Sequence, residues 1–174
     1  MYLRILLNFI LALGLFTLQA SFLNVLPVLY YLNLVLVILI FILVLMDLNW
    51  AIAWFLIIAL CFDVFSFQAF GTHLITYSLV LIISYILLIN FITNRSLYSF
   101  LLLTAVATII YNVSLQLASY LMSYNSSLDF STSFWINVGW RLLANLIITG
   151  IVFYILSLFS RRFKPVFLGK KVFK

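Results

Sequence analysis

Ten consecutive side chains, Leu34-Val35-Leu36-Val37-Ile38-Leu39-Ile40-Phe41-Ile42-Leu43, carry no polar atom, and a segment apolar on every side must be covered by protein or by lipid. Between polar breaks, six stretches share this character: Ile5 to Ser21, Val28 to Met46, Trp50 to Ser66, Thr72 to Phe91, Leu97 to Met122 and Phe134 to Phe159. Each reaches the roughly 17 residues that a helix needs to cross the hydrocarbon. None alternates with the period of 2 expected of a barrel strand, whereas a helix satisfies its own backbone in lipid. Composition agrees. Of the 174 residues, 68% are hydrophobic and 7% charged, against about a quarter charged in soluble domains, and one water-facing core of this length cannot hide so much apolar surface. An aromatic content of 18% excludes a disordered chain. The expectation is an all-α integral membrane protein with six transmembrane helices in one domain, 1–159, followed by a basic tail, 160–174.

The breaks have local causes. Asn24 and Pro27 separate the first two spans, Asp47 and Asn49 the next, Gly71 the third and fourth, and Asn94-Arg95-Ser96 closes the fourth, all turn-forming residues. The polar loop Ser123 to Ser133 ends in Ser131-Thr132-Ser133, candidate caps for the sixth helix. Arg4, Arg95, Arg161, Arg162, Lys164, Lys170, Lys171 and Lys174 all fall on one side of a six-span chain and no basic residue on the other, which predicts cytoplasmic termini by the positive-inside rule. Leu18 sits at the minus-three position of the one candidate cleavage site, after Ala20, where a signal peptide needs a small residue. A retained first helix is therefore expected. The formal charge of +6 comes largely from the tail, which holds six of the nine basic residues. It reads as a membrane flank rather than a nucleic-acid surface, with each basic residue near anionic lipid contributing about 1 kcal/mol.

Ionisable groups at membrane depth cost roughly 2.5 to 3.5 kcal/mol each on insertion scales. Two are expected there, Asp63 and Arg141. At ~1.5 Å rise per residue, Asp63 lies ~20 Å outward from Trp50, Arg141 ~27 Å from Phe159, His73 ~27 Å from Phe91 and Gln116 ~28 Å from Leu97, all in the outer third. Asn112 and Gln116 are spaced i, i+4, and Asn137, Arg141 and Asn145 i, i+4, i+8, so each set occupies one helix face. The expected arrangement pairs Arg141 with Asp63 and completes a buried polar cluster with Asn112, Gln116, Asn145 and His73. Such a cluster serves helix packing, at about 0.6 kcal/mol per interhelical hydrogen bond, or it holds a ligand. Cys61 reads as a small apolar filler, and as a lone cysteine it excludes an internal disulfide or paired-cysteine metal site. Trp50 and Trp135 read as interfacial belt residues.

Enzymatic chemistry finds little material. One His, one Cys and three acids are present, and there is no HExxH, GxSxG or phosphate-cradling glycine loop. No catalytic residue, metal or cofactor is expected. Transporters carry glycine- or proline-broken helices in two similar halves, and with five glycines and two prolines in the chain a coupled pump is not expected either.

Leu18-Gln19 at the end of the first helix, Leu32-Asn33-Leu34 opening the second, and Phe62-Asp63-Val64-Phe65-Ser66 with Phe70-Gly71-Thr72-His73 ahead of Leu74 resemble the bacterial rod shape-determining protein MreD family. Gln19, Asn33, Asp63 and Gly71 occupy its motif positions. Tyr31 and Asn33 stand where the family has Pro and Asp, and Ala51, Ala53 and Ala59 replace its customary glycines. The resemblance implies a non-enzymatic inner-membrane scaffold of the cell-elongation complex. Its partners would be an MreC-type single-span protein and, through it, an MreB-type filament and the peptidoglycan synthases. It also implies a fold similar to the substrate-binding subunits of energy-coupling-factor vitamin transporters, the alternative reading. Those subunits dock through an Ala-x-x-x-Ala stripe on the first helix, where this chain has Ala12 and then Phe16. A partner helix would use a lipid-facing groove of small residues, either Thr104 with Thr108 or Ser114 with Ala118.

The tail is expected to anchor topology by lying on anionic lipid. Deleting Val166 to Lys174 should disturb orientation, read by cysteine labelling on either side of the membrane. Unchanged topology with a lost partner would make the tail a docking peptide instead.

Overall fold

The computed structural model describes residues 2–23, 29–46, 48–66, 68–91, 96–122, 128 and 130–162. Among these, every regular element is helical: α1 (Tyr2–Leu18) running into a π turn (Gln19–Leu23), α2 (Leu34–Leu45), α3 (Leu48–Phe65), α4 (Thr72–Phe91), α5 (Leu97–Met122) and α6 (Thr132–Arg162). Four of them, α3 to α6, are long and apolar enough to cross a membrane. The chain is thus a helical, multi-pass membrane protein. Of the expected breaks, Asn24, Pro27, Asp47, Asn94, Arg95 and 123–127 lie outside the described residues, as do Lys164, Lys170, Lys171 and Lys174 of the tail. The sixth helix passes the expected end at Phe159 and continues through Arg162.

The largest departure is α2. The stretch Val28 to Met46 reads as one span, yet the helix holds only 12 residues, ~18 Å at 1.5 Å per residue against a hydrocarbon core of about 30 Å. Non-helical chain, Leu29 to Asn33, leads into it. The position of the helix explains why its sequence is apolar on every side: α2 packs on α5, α3, α6 and α4, and Val35, Leu36, Val37, Leu39 and Ile40 are each 0–1% exposed.

Around this hub, Phe41 stacks on Phe100 at 4.5 Å between centroids, and Phe55, Tyr77 and Ile58 complete the core. Trp54 is buried within it, while Trp135 and Trp140 are exposed. Thr104, Thr108, Ser114 and Ala118 are all buried. None of them offers the lipid-facing groove expected for a partner helix, because α5 is covered by α4 on one side and by α6 and α2 on others.

The α3–α4 hairpin turns at Gly71, whose φ of +97° lies where side chains with a Cβ are strained. A Cβ there would also stand 3.1 Å from Met122 Cε. Gly71→Ala should therefore lower stability by about 1–2 kcal/mol, read from thermal unfolding in detergent. Shortening Met122 to Ala should recover only the steric part of that loss.

Candidate functional site

Non-helical backbone inside a bilayer is tolerated only where its polar groups are met by protein or by a water-filled cavity. Several backbone groups on the approach to α2 are met in this way. Gln19, held in the π turn, accepts from the Leu34 N–H at 3.0 Å and donates from Nε2 to the Leu32 carbonyl at 3.0 Å. Asn145 of α6 accepts from the Asn33 N–H through Oδ1 at 2.8 Å. Asn33 then caps its own helix, accepting from the Leu36 N–H at 3.0 Å. The Leu32 N–H closes a turn on Leu29 O at 2.9 Å. Leaving one such group buried and unpaired costs about 1–3 kcal/mol, so these side chains are what permits the helix to begin inside the bundle.

Asp63 serves α4 in the same way. Its Oδ1 accepts from the His73 N–H at 2.8 Å and its Oδ2 from the Leu74 N–H at 3.0 Å, so one carboxylate caps the N-terminus of the neighbouring helix. Hydrogen bonds to a charged group contribute about 1.5–3 kcal/mol each, and the positive helix end adds up to about 2 kcal/mol. Together they offset the roughly 3 kcal/mol that a carboxylate costs at membrane depth. Asp63 needs no cation.

The expected Asp63–Arg141 pair accordingly does not form. Arg141 donates from Nη1 to Asn112 Oδ1 at 2.7 Å and lies over the Tyr30 ring, 5.8 Å from its centroid. The helices that carry the two charges have α2 as a common neighbour: α3 packs on α4, α1 and α2, and α6 on α5 and α2.

The expected meeting of the fifth and sixth helix faces does occur, but it extends inward rather than outward. Arg141 meets Asn112, Asn145 Nδ2 donates to Thr108 Oγ1 at 3.0 Å, and Thr149 Oγ1 lies 3.2 Å from Thr104 Oγ1. Each step is four residues along both antiparallel helices. Gln116 stays outside this ladder, half-buried and contributing its carbonyl to Ser119, and Asn137 is exposed. The inward members Thr104, Thr108 and Thr149 carry the same i+4 spacing as the asparagines, which is the signal that finds them.

At the ladder's Arg141 end lies a cavity of about 310 Å³, lined by Gln19, Tyr31, Asn33, Ser66, His73, Asn112, Arg141 and Asn145 among others. Phe62 and Ser66 form the α3 side of it and Arg141 the α6 side. His73, 6% exposed, packs its ring against Phe62 at 5.3 Å. His73 Nδ1 and Ser66 Oγ are buried with no hydrogen-bond partner among the described residues. Of the expected cluster, Asn112, Asn145, Arg141 and His73 thus share one cavity, whereas Asp63 is engaged by α4 and does not line it. Among the described residues no group of three His, Cys, Asp or Glu side chains is placed to hold a metal.

No protein-family model matches the chain, and no curated protein or solved structure matches it either.

The caps generate a prediction. Asp63→Asn keeps one acceptor and should cost about 1–2 kcal/mol, while Asp63→Leu removes both and should cost about 3 kcal/mol or more. Exchanging the charges, Asp63→Arg with Arg141→Asp, should leave the protein as unstable as the worse single variant. Thermal unfolding of these variants in detergent, beside the wild type, checks both statements.

Proposed function

We propose that the chain is a non-enzymatic scaffold subunit of the bacterial cell-elongation complex, of the MreD type. It lies in the inner membrane with both termini cytoplasmic and binds an MreC-type single-span protein. Through that partner it associates with an MreB-type filament and the peptidoglycan synthases. In this reading α1 with its π turn, and α2 with the chain entering it, supply two further crossings beside α3 to α6. One observation carries the proposal. The four residues at the family's motif positions work as two architectural pairs: Gln19 and Asn33 fix the start of α2, and Asp63 and Gly71 fix the start of α4. A motif devoted to holding helix starts, rather than to bond-making, suits a protein whose product is a shaped surface. Least buried of the four long helices is α6. On it Gly139 and Gly150 have open space where a Cβ would project, so a partner's helix can approach its backbone closely.

A second reading, the substrate-binding membrane subunit of an energy-coupling-factor type vitamin transporter, draws on the polar cavity beside His73 and Arg141. Cavities of this kind between helices are where small ligands bind.

Affinity purification of the full chain from its native membrane, with mass spectrometry of what accompanies it, separates the two. Recovery of a single-span protein together with peptidoglycan-synthesis proteins is the expected result. Recovery of a transporter's coupling protein in their place overturns the scaffold and supports the second reading.

A further inference from the structure

We infer that Met122 is a site of reversible oxidation by a hydroperoxide, and that its sulfoxide loosens the start of α4. The effect on the fold is the same in a scaffold and in a transporter subunit. Met122 is the last residue of α5, whose 26 residues run ~39 Å at 1.5 Å per residue, longer than the roughly 30 Å of hydrocarbon. The ends of this helix therefore lie at the membrane margins, and Met122 keeps 40% of its surface exposed. Its side chain lies over the α3–α4 hairpin. Cε is 3.1 Å and Sδ 3.9 Å from where a Cβ on Gly71 would stand, and Sδ is 3.7 Å from Thr72 Oγ1. The methionine thus covers the space that glycine leaves, at the turn that begins α4.

What lies beside Sδ gives its oxidation a consequence. Ala69 to Thr72 form a tight turn, with the Thr72 N–H on Ala69 O at 3.2 Å and Gly71, at φ +97°, in the third position, where a type II turn takes glycine. The Thr72 hydroxyl reinforces this turn, donating to the same carbonyl at 2.7 Å. A hydroxyl has one proton to give, and a thioether is too weak an acceptor to draw it away. Oxidation turns that thioether into a polar group. In the step itself the O–O bond of the peroxide breaks and one oxygen passes to Sδ. Sulphur gives up two electrons, and the other oxygen leaves as water, or as an alcohol from an alkyl hydroperoxide. The new oxygen, on a sulphur already 3.7 Å from Thr72 Oγ1, takes the hydroxyl proton from Ala69 O, and the turn keeps one of its two bonds. Thr72 directly precedes His73, whose N–H is held by Asp63, so the loss falls on the first turn of α4. Met46, 46% exposed, caps α2 through its backbone N–H, and its sulphur supplies the comparison.

The test treats the full chain in phosphatidylcholine nanodiscs with hydrogen peroxide, locates sulfoxides by peptide mass spectrometry and follows thermal unfolding by circular dichroism. Met122 should gain one oxygen, and the midpoint should fall by about 2–4 °C as the modified fraction rises, the effect of one lost hydrogen bond in a chain of this length. Hydrogen exchange should quicken at the amides of residues 72–75 and stay unchanged in α6. Methionine sulfoxide reductases for both epimers should reverse both changes. Met122→Leu, close in volume and without an oxidisable sulphur, should unfold near the wild-type temperature and lose the response, whereas Met46→Leu should keep it in full. Should Met122→Leu fail to fold, the dependence of the midpoint on Met122 occupancy in Met46→Leu decides the matter. A fall that Met122→Leu retains assigns the effect to another residue and overturns the inference. So does a Met122 left unmodified while Met46 is oxidised, or modified with no fall.

Discussion

A helix that begins in the interior of a bundle leaves its first N–H groups in need of partners, and much of this structure is arranged around that deficit at the start of α2. Its twelve residues are too few to span, and the described chain that enters it, Leu29 to Asn33, is irregular, so its buried peptide groups need partners from outside the helix. Three side chains from three places in the sequence supply it. Gln19 comes from the π turn that ends the first helix, Asn33 from the cap position itself and Asn145 from the middle of α6. The π turn has its own physical sense, because such turns interrupt the regular helix at sites of function and turn a side chain away from its regular direction. With these partners in place, a helix apolar on every side can occupy the centre of the bundle, where it buries eight of its twelve side chains.

Magnitudes decide what Asn145 is for. Its bond to Thr108 belongs to the ladder between α5 and α6, and interhelical hydrogen bonds in membranes average about 0.6 kcal/mol because the separated helices find other partners. Its bond to the Asn33 N–H satisfies a backbone donor outside any helix, and losing it costs about 1–3 kcal/mol. The ladder sets the register of α6 against α5. The contact with Asn33 ties both of them to α2.

Much of this is legible in the sequence, for identifiable reasons. Four long helices follow from apolar length, and the facing of Asn112 with Arg141 and Asn145 follows from the rarity of polar residues at depth combined with i+4 spacing. The pairing of Asp63 with Arg141 does not follow, because opposite charge is a weaker guide than available backbone. Asp63 stands ten residues before His73, across a hairpin closed by Gly71, and two N–H groups of a helix N-terminus at hydrogen-bond distance satisfy its carboxylate without the guanidinium on α6. Thr104 and Thr108 look like a small-residue groove in one dimension. In three they are inward rungs, since the same spacing that makes a groove for a partner makes a ladder with the chain's own α6. The late start of α2 has one local signature, the cap residue Asn33, which by itself does not outweigh the apolar run around it. Leu29 to Asn33 is as apolar as many helices, and what holds it unwound is a set of acceptors and donors 15 and 112 residues away.

The polar residues therefore divide into two kinds by where their hydrogen bonds go. Gln19, Asn33, Asp63 and Asn145 are taken up by backbone, and their loss would be felt as stability. Arg141 gives one of its five donors to a side chain, Asn112, and borders the space that Gln19, Asn33 and Asn145 also line. That division follows from the geometry of a short central helix. A full-length α2 would carry its own backbone bonds up to the membrane surface and fill the region where the cavity lies, so the structural cost of starting the helix late is also what leaves room beside Arg141.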